Sequence, residues 1–168
     1  MIGRIVATGV VLAGLGATPV LAQSDGWEAY QNAELGYRIE LPTGVLDGVE
    51  VIETDAGVTL TAIGPVQIDV LGSANMQGFT PDEFSATIEA ADGLREVTYR
   101  ASGNSWFVLS GFLRDDAGTG EELIFYTKYL FNADRSAVSA FEVSYPASEK
   151  ARLDPVVTRI EKSLRSPA

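Results

Sequence analysis

The sequence predicts an α+β domain: an antiparallel sheet of about six to eight strands with helices packed on it. Three observations lead there. Short alternating segments come first, then one well-capped helical segment, then a run of longer strands, then a last helix. The later strands carry apolar residues on both faces, so the sheet needs cover on each side. No repeat, low-complexity tract or Pro/Ser-rich linker divides the chain after its leader, so a single domain accounts for residues 23–168.

The leader is the clearest of the segments. Met1–Arg4 carries one positive charge, and Ile5–Gly16 is a run of twelve uncharged, mostly apolar or small residues. Thr18–Ala22 follows as a small-residue region with Val20 and Ala22 placed for cleavage, so residues 1–22 read as a secretory signal peptide cut between Ala22 and Gln23. The run is shorter than the roughly twenty apolar residues of a membrane span. No cysteine follows it to carry a lipid. The expectation is an exported mature domain without an integral membrane anchor.

Trp27–Asn32 is a short lead-in. Tyr37–Leu41 alternates and stops at Pro42, which reads as a half-buried strand. Val49–Glu53, Val58–Ile63 and Val66–Leu71 follow as short strands, separated by Asp55-Ala56-Gly57 and Gly64-Pro65, which have turn chemistry. Thr80-Pro81-Asp82-Glu83 is a capping box with proline at the first helical position, and Phe84, Ile88 and Ala91 share a face, so a helix is predicted over 81–91. Four longer strands come next: Arg95–Ala101, Trp106–Arg114, Glu121–Asn132 and Ala137–Tyr145. Trp106–Arg114 is apolar on both faces over much of its length and is expected as a central strand covered on both sides. A last helix follows Pro146, with a break expected at Asp154-Pro155, where Asp can cap and Pro can open a new turn. Val156, Val157, Ile160 and Leu164 form the face that should meet the sheet.

Composition removes whole classes of chemistry. The 168 residues include no cysteine and no histidine. Disulfides, thiolate or imidazole metal sites, Ser–His–Asp and Cys–His nucleophile systems and His- or Cys-ligated haem are therefore excluded, and no cofactor is expected. The net charge is −11, and the leader holds only one charged residue, Arg4, so the mature chain is more acidic still. Such a surface repels nucleic acid and anionic lipid headgroups. Nine of the twelve basic residues are Arg, and Ala and Gly are abundant, the bias of a GC-rich bacterial genome. The expected compartment is the periplasm. From Pro146 onward there are five basic and three acidic residues, against six and twenty from Gln23 to Tyr145. This basic tail fits a solvated helix face, contact with the acidic body, or a patch for an anionic partner.

Few residues are candidates for a site. Lys128 lies inside an aromatic strand, between Tyr126 and Leu130 on its face. A buried lysine can act as base or nucleophile, although such side chains more often snorkel to an edge. Arg100, Trp106, Tyr126 and Lys128 together have the makings of a shallow ligand or partner site, since aromatics and a cation are common site components. The aromatics serve equally as core. Asp115, Asp116, Glu121 and Glu122 form an acidic loop with the oxygens a hard cation needs, but without the EF-hand pattern a solvated turn is the simpler reading. Gly103-Asn104-Ser105-Trp106-Phe107 lacks the second glycine of a nucleophile elbow. No catalytic residue and no metal ligand is assigned.

Tyr30-Gln31-Asn32 followed by Gly36-Tyr37-Arg38-Ile39-Glu40-Leu41-Pro42 resembles the opening of the PsbP-like fold. That group includes the photosystem II extrinsic subunit, a nuclear Ran-binding factor and many bacterial envelope proteins. The close of the chain is similar too, with a strand ending at Tyr145-Pro146 and a helix finishing at Ile160–Leu164. The resemblance spans Tyr30 to Leu164. It implies an α/β/α sandwich with no enzymatic site, acting as a binding or assembly factor. Its members bind different partners through different surfaces, so no functional residue carries over. The leading expectation is thus a monomeric, non-catalytic factor of the bacterial envelope with a protein partner. A small-ligand or lipid-binding module is the second, and a hydrolase or lyase built on carboxylates, Tyr or Lys the third.

Overall fold

The computed structural model describes residues 25–55, 57–91, 93, 95–114 and 122–168. The leader and its cleavage site at Ala22 and Gln23 lie outside the described residues, as does the acidic loop apart from Glu122. The strands are β1 (Glu28–Gln31), β2 (Arg38–Leu41), β3 (Glu50–Thr54), β4 (Gly57–Ala62), β5 (Val66–Ala74), β6 (Arg95–Gly103), β7 (Trp106–Leu113), β8 (Leu123–Phe131) and β9 (Ala137–Pro146). Helix α1 (Pro81–Ala91) stands between β5 and β6, and helix α2 (Lys150–Ser163) closes the chain after a 3₁₀ turn at Ala147–Glu149.

Seven strands form one antiparallel sheet in the order β3-β4-β5-β9-β8-β7-β6. Two hairpin-built halves meet where β9 pairs with β5, and α1 carries the chain from the middle of the sheet to its far edge. The middle strand is therefore β9, and β7, expected as a central strand, is an interior one between β6 and β8 but second from the edge. Residues 137–141 of β9 are buried without interruption. β7 reads as central in the sequence because it is apolar on both faces, while the small residues of β9, Ala137, Ser139 and Ala140, lie just as deep and give a weaker signal.

Period-2 alternation sends β9 residues to two cores. Phe141, Val143 and Tyr145 join Val58, Leu60, Ile68 and Val70 under α2. Val138 and Ala140 join Phe107, Leu109, Phe125 and Phe131 under α1, with Phe84 and Ile88 of the helix packed against them. These are called here the α2 face and the α1 face. The capping box of α1 forms as the sequence predicts: the Thr80 amide donates to Glu83 Oε2 (2.9 Å), and the Glu83 amide donates to Thr80 Oγ1 (3.3 Å).

The lead-in segment is a strand. β1 pairs with β2, from Glu28 opposite Leu41 to Gln31 opposite Arg38. The turn between them explains the opening motif. Asn32 Oδ1 accepts from the Leu35 amide (2.8 Å), and Gly36 takes φ +75°, a region that disfavours side chains. Tyr37 is then delivered fully buried into the α2 core.

The break expected in the last helix does not occur. α2 runs through Pro155, because the preceding 3₁₀ turn already starts the helix and Asp154 is engaged elsewhere. Its carboxylate accepts from Lys150 Nζ (2.6 Å) and from the Tyr145 hydroxyl (3.4 Å). Proline removes one intrahelical donor, but the burial of Leu153, Val156, Val157 and Ile160 on the sheet holds the helix on course.

Candidate functional site

The register of the sheet separates the four residues that the sequence groups together. Trp106 begins β7 opposite Leu130 of β8 and Gly103 of β6; Lys128 stands opposite Val108, and Tyr126 opposite Ser110. These three side chains share the α2 face. A Cβ at Gly103 would lie 2.5 Å from the indole Nε1, so the ring of Trp106 rests directly on the glycine backbone. Lys128 Nζ lies 5.5 Å from the Trp106 ring centroid and 3.0 Å from Glu161 Oε1 of α2. Tyr126 stacks on Phe141 at 5.9 Å, and burial, then the Glu161 charge, raise its phenol above the ordinary tyrosine range. Exposed Tyr99 of β6 borders the group.

Arg100 points the other way. It lies on the α1 face, where its guanidinium makes a two-pronged pair with the Glu89 carboxylate of α1 (Nε to Oε1, 2.9 Å; Nε to Oε2, 3.0 Å). Alternation alone sets it apart, since in β6 it faces Leu109 and not Val108. Lys128 and Arg100 are thus both fasteners, one tying β8 to α2 and the other tying β6 to α1.

A second feature was not legible from sequence. Beyond the reach of α1, the α1 face opens as a groove of about 320 Å³ lined by Thr59, Asp69, Arg95, Thr127, Tyr129 and Glu142, among others. Arg95 spans from β6 to Glu142 of β9 with paired bonds of 2.7 and 3.0 Å, its guanidinium 5.2 Å from the Phe125 ring centroid. Asp69 stands directly opposite Glu142 in the ladder and accepts from Thr59 Oγ1 and Gln67 Nε2, each at 2.6 Å. All four carboxylate oxygens of this pair already accept hydrogen bonds. Tyr129 is raised above its ordinary range by burial and then by the Glu142 charge. The groove joins strands far apart in the chain, so its residues read individually as a polar, solvent-facing alternation.

The basic tail is largely spent within the molecule. Arg159 contacts Glu40 Oε2 (2.9 Å) and Asp25 Oδ2 (2.6 Å) and covers the Trp27 ring at 4.4 Å, tying Asp25 and Trp27 to α2. Lys150 and Arg152 pair along the helix with Asp154 and Glu149. Among the described residues, no group of His, Cys, Asp and Glu is arranged to hold a metal ion, and no helix is long and apolar enough to cross a membrane.

No family model matches the sequence, and no curated protein matches it. Solved structures do. The solution structure of cyanobacterial PsbP (CyanoP) from Synechocystis sp. PCC 6803 superposes with a TM-score of 0.60 at 13% identity, over 90% of this chain and 98% of that one. The fold is PsbP-like. The Ran-binding protein Mog1p of Saccharomyces cerevisiae shares it, with a TM-score of 0.52 at 6% identity over 83% of this chain and 94% of that one. Within this PsbP-like fold, the opening motif and the Tyr145-Pro146 corner do structural work: they seat Tyr37 and set the entry to α2.

The remaining surface feature is apolar. Among the described residues, the large exposed hydrophobic side chains are Val45, Val51, Ile52, Ile63, Leu71, Met76 and Tyr99. The first five lie on β3, β5 or the loops joining β2 to β5, and on both faces of the sheet: Val51 on the α2 face, Ile52 and Leu71 on the α1 face.

Proposed function

We propose that this chain is an exported, non-catalytic binding or assembly factor of the bacterial cell envelope, acting through protein–protein contacts. The observation that carries the reading is that five large exposed apolar side chains, Val45, Val51, Ile52, Ile63 and Leu71, fall on or beside strands β3 to β5 of an acidic molecule, in a stretch without Lys or Arg. Val51 and Ile52 are neighbours on β3, all of whose residues are exposed, and apolar side chains on such an edge strand suit contact with another chain. Kinship of fold with a Ran-binding protein supports a partner-binding role. The all-paired Asp69 and Glu142 support a scaffold more than an acid or base. Trp106, Tyr126 and Lys128, with Tyr99 beside them, are proposed as a further contact patch, of the residue types that interfaces favour.

The 320 Å³ groove favours a second reading, a small-ligand module, because it falls at the lower end of the volumes that hold ligands. One experiment separates the two. The tagged, exported protein is recovered from its native host and its bound molecules are identified by mass spectrometry. A stoichiometric envelope protein is expected. A lipid or metabolite without a protein partner would replace the first reading with the second, and recovery of neither would overturn both.

A further inference from the structure

The two edges of the large sheet are guarded differently. On β6 the ladder to β7 shifts register between Val97 and Tyr99, a bulge that spoils continued pairing, and the arginines of the strand are tied to Glu142 and Glu89. β3 has no such device. It pairs regularly with β4 over all of its residues, from Glu50 opposite Thr61 to Thr54 opposite Gly57, and its outer edge pairs with no strand among the described residues. All five residues are exposed. An edge of this kind leaves alternate N–H and C=O groups directed outward, ready to pair with another chain.

The side chains of β3 say what that chain would be. Register places Val51 and Glu53 on the α2 face and Glu50, Ile52 and Thr54 on the α1 face, so each face offers one large apolar and one acidic side chain. Asp47 and Asp55 flank the strand. Over residues 39–94 the chain has Glu40, Asp47, Glu50, Glu53, Asp55, Asp69, Asp82, Glu83, Glu89 and Asp92, and no Lys or Arg. No cation of this region answers Glu50 or Glu53. A second copy of the chain fits badly. Antiparallel self-pairing centred on Ile52 sets each Val51 opposite a Glu53, and pairing centred on Val51 sets each Ile52 opposite a Glu50.

We propose that β3 takes up an extended segment of a partner protein as an added strand, and that this segment has the order basic–apolar–apolar–basic. Its backbone completes the ladder, its two apolar residues cover Val51 and Ile52, and its Lys or Arg side chains meet Glu53 and Glu50. The inference rests on the partner-binding reading and names where and what that partner is.

The probe is a fluorescent peptide with the core Thr-Lys-Val-Ile-Arg-Thr, titrated against the whole exported protein by anisotropy. Binding is expected to weaken with salt, because the paired charges are at the surface. It should weaken about tenfold in the Glu50→Lys/Glu53→Lys variant, whose altered side chains are exposed. Ile52→Thr, which keeps a β-branched residue in the strand, should also weaken it. A peptide with proline in place of both its valine and its isoleucine should not bind, since neighbouring residues turn their N–H groups to opposite edges and one of these two must donate to β3. Equal binding of the proline peptide, unchanged binding by the double variant, or a dimer of the wild-type chain in sedimentation would each overturn the inference. Recovery from the native host separates the two levels. A partner still held stoichiometrically by the double variant removes β3 and leaves the binding-factor reading standing. No partner for the wild-type protein removes that reading itself.

Discussion

On the α2 face, seventeen of the described residues are buried, from Tyr37 to Leu164, and they draw on α2, β2 and the strands β4, β5 and β9. On the α1 face seven are, from Phe107 to Ala140, and none belongs to α1. The helices differ accordingly. α2 buries Leu153, Val156, Val157 and Ile160, whereas α1 buries only Pro81 and presses Phe84 and Ile88, both partly exposed, onto the strands. Two helices on one sheet therefore do different work. α2 is part of the core, and α1 is a cover over half a face, leaving the groove beside it open.

If that contrast is right, equivalent truncations should separate in size. Ile160 is fully buried, so Ile160→Ala should cost about 2–5 kcal/mol, the transfer term plus the cavity left behind. Phe84 touches Phe107, Tyr129 and Phe131 at ring separations of 5.6–6.1 Å, but it keeps solvent on its outer side. Phe84→Ala should cost about half as much despite removing a larger side chain. Urea midpoints at constant m-value would report both. Equal losses would mean that α1 is as integral as α2.

A smaller effect tests the α2 face by pH. The Tyr145 phenol is raised from 10 to about 12, first by burial and then by the Asp154 charge and hydrogen bond. The unfolded chain releases this proton from about pH 10, while the folded chain keeps it. Stability contributed by the neutral phenol is thus complete below pH 10 and falls as pH climbs toward 12. Tyr126, on the same face, and Tyr129, on the α1 face, are displaced in the same direction. Urea titrations at pH 9, 10 and 11 should show a falling midpoint, and Tyr145→Phe should flatten the fall. An unchanged slope in that variant would assign the alkaline loss to the other tyrosines.

What the sequence made legible was whatever is settled locally. The capping box at Thr80–Glu83, the strand over Ala137–Tyr145 and the Gly36-Tyr37 strand each depend on residues a few positions apart, and each appears as expected. What it hid depends on register. Arg100 and Lys128 read alike as cations among aromatics, yet one residue of parity puts them on opposite faces of the sheet. The groove needs Asp69, Arg95 and Glu142 side by side, and only the pairing of β5 with β9 and the reach of Arg95 across the sheet bring them there. Pro155 misled for a related reason. A helix that looks breakable alone is held by four side chains buried in a core shared with strands as distant in the chain as β2.

The smallest prediction sharpens the comparison most, because it reads each helix separately. Thr80→Ala removes the hydroxyl that accepts from the Glu83 amide and takes with it the side-chain contact to Glu83 Oε2. The loss should be about 0.5–1 kcal/mol, the usual worth of such a cap. Because α1 contributes only Pro81 to the buried set, that loss should be spent on local opening of the helix. Hydrogen exchange should therefore quicken across the α1 amides and leave those of α2 unchanged. Parallel acceleration in both helices would mean that they open together. The half-covered face would then be as cooperative as the other, and the contrast between the two helices would not hold.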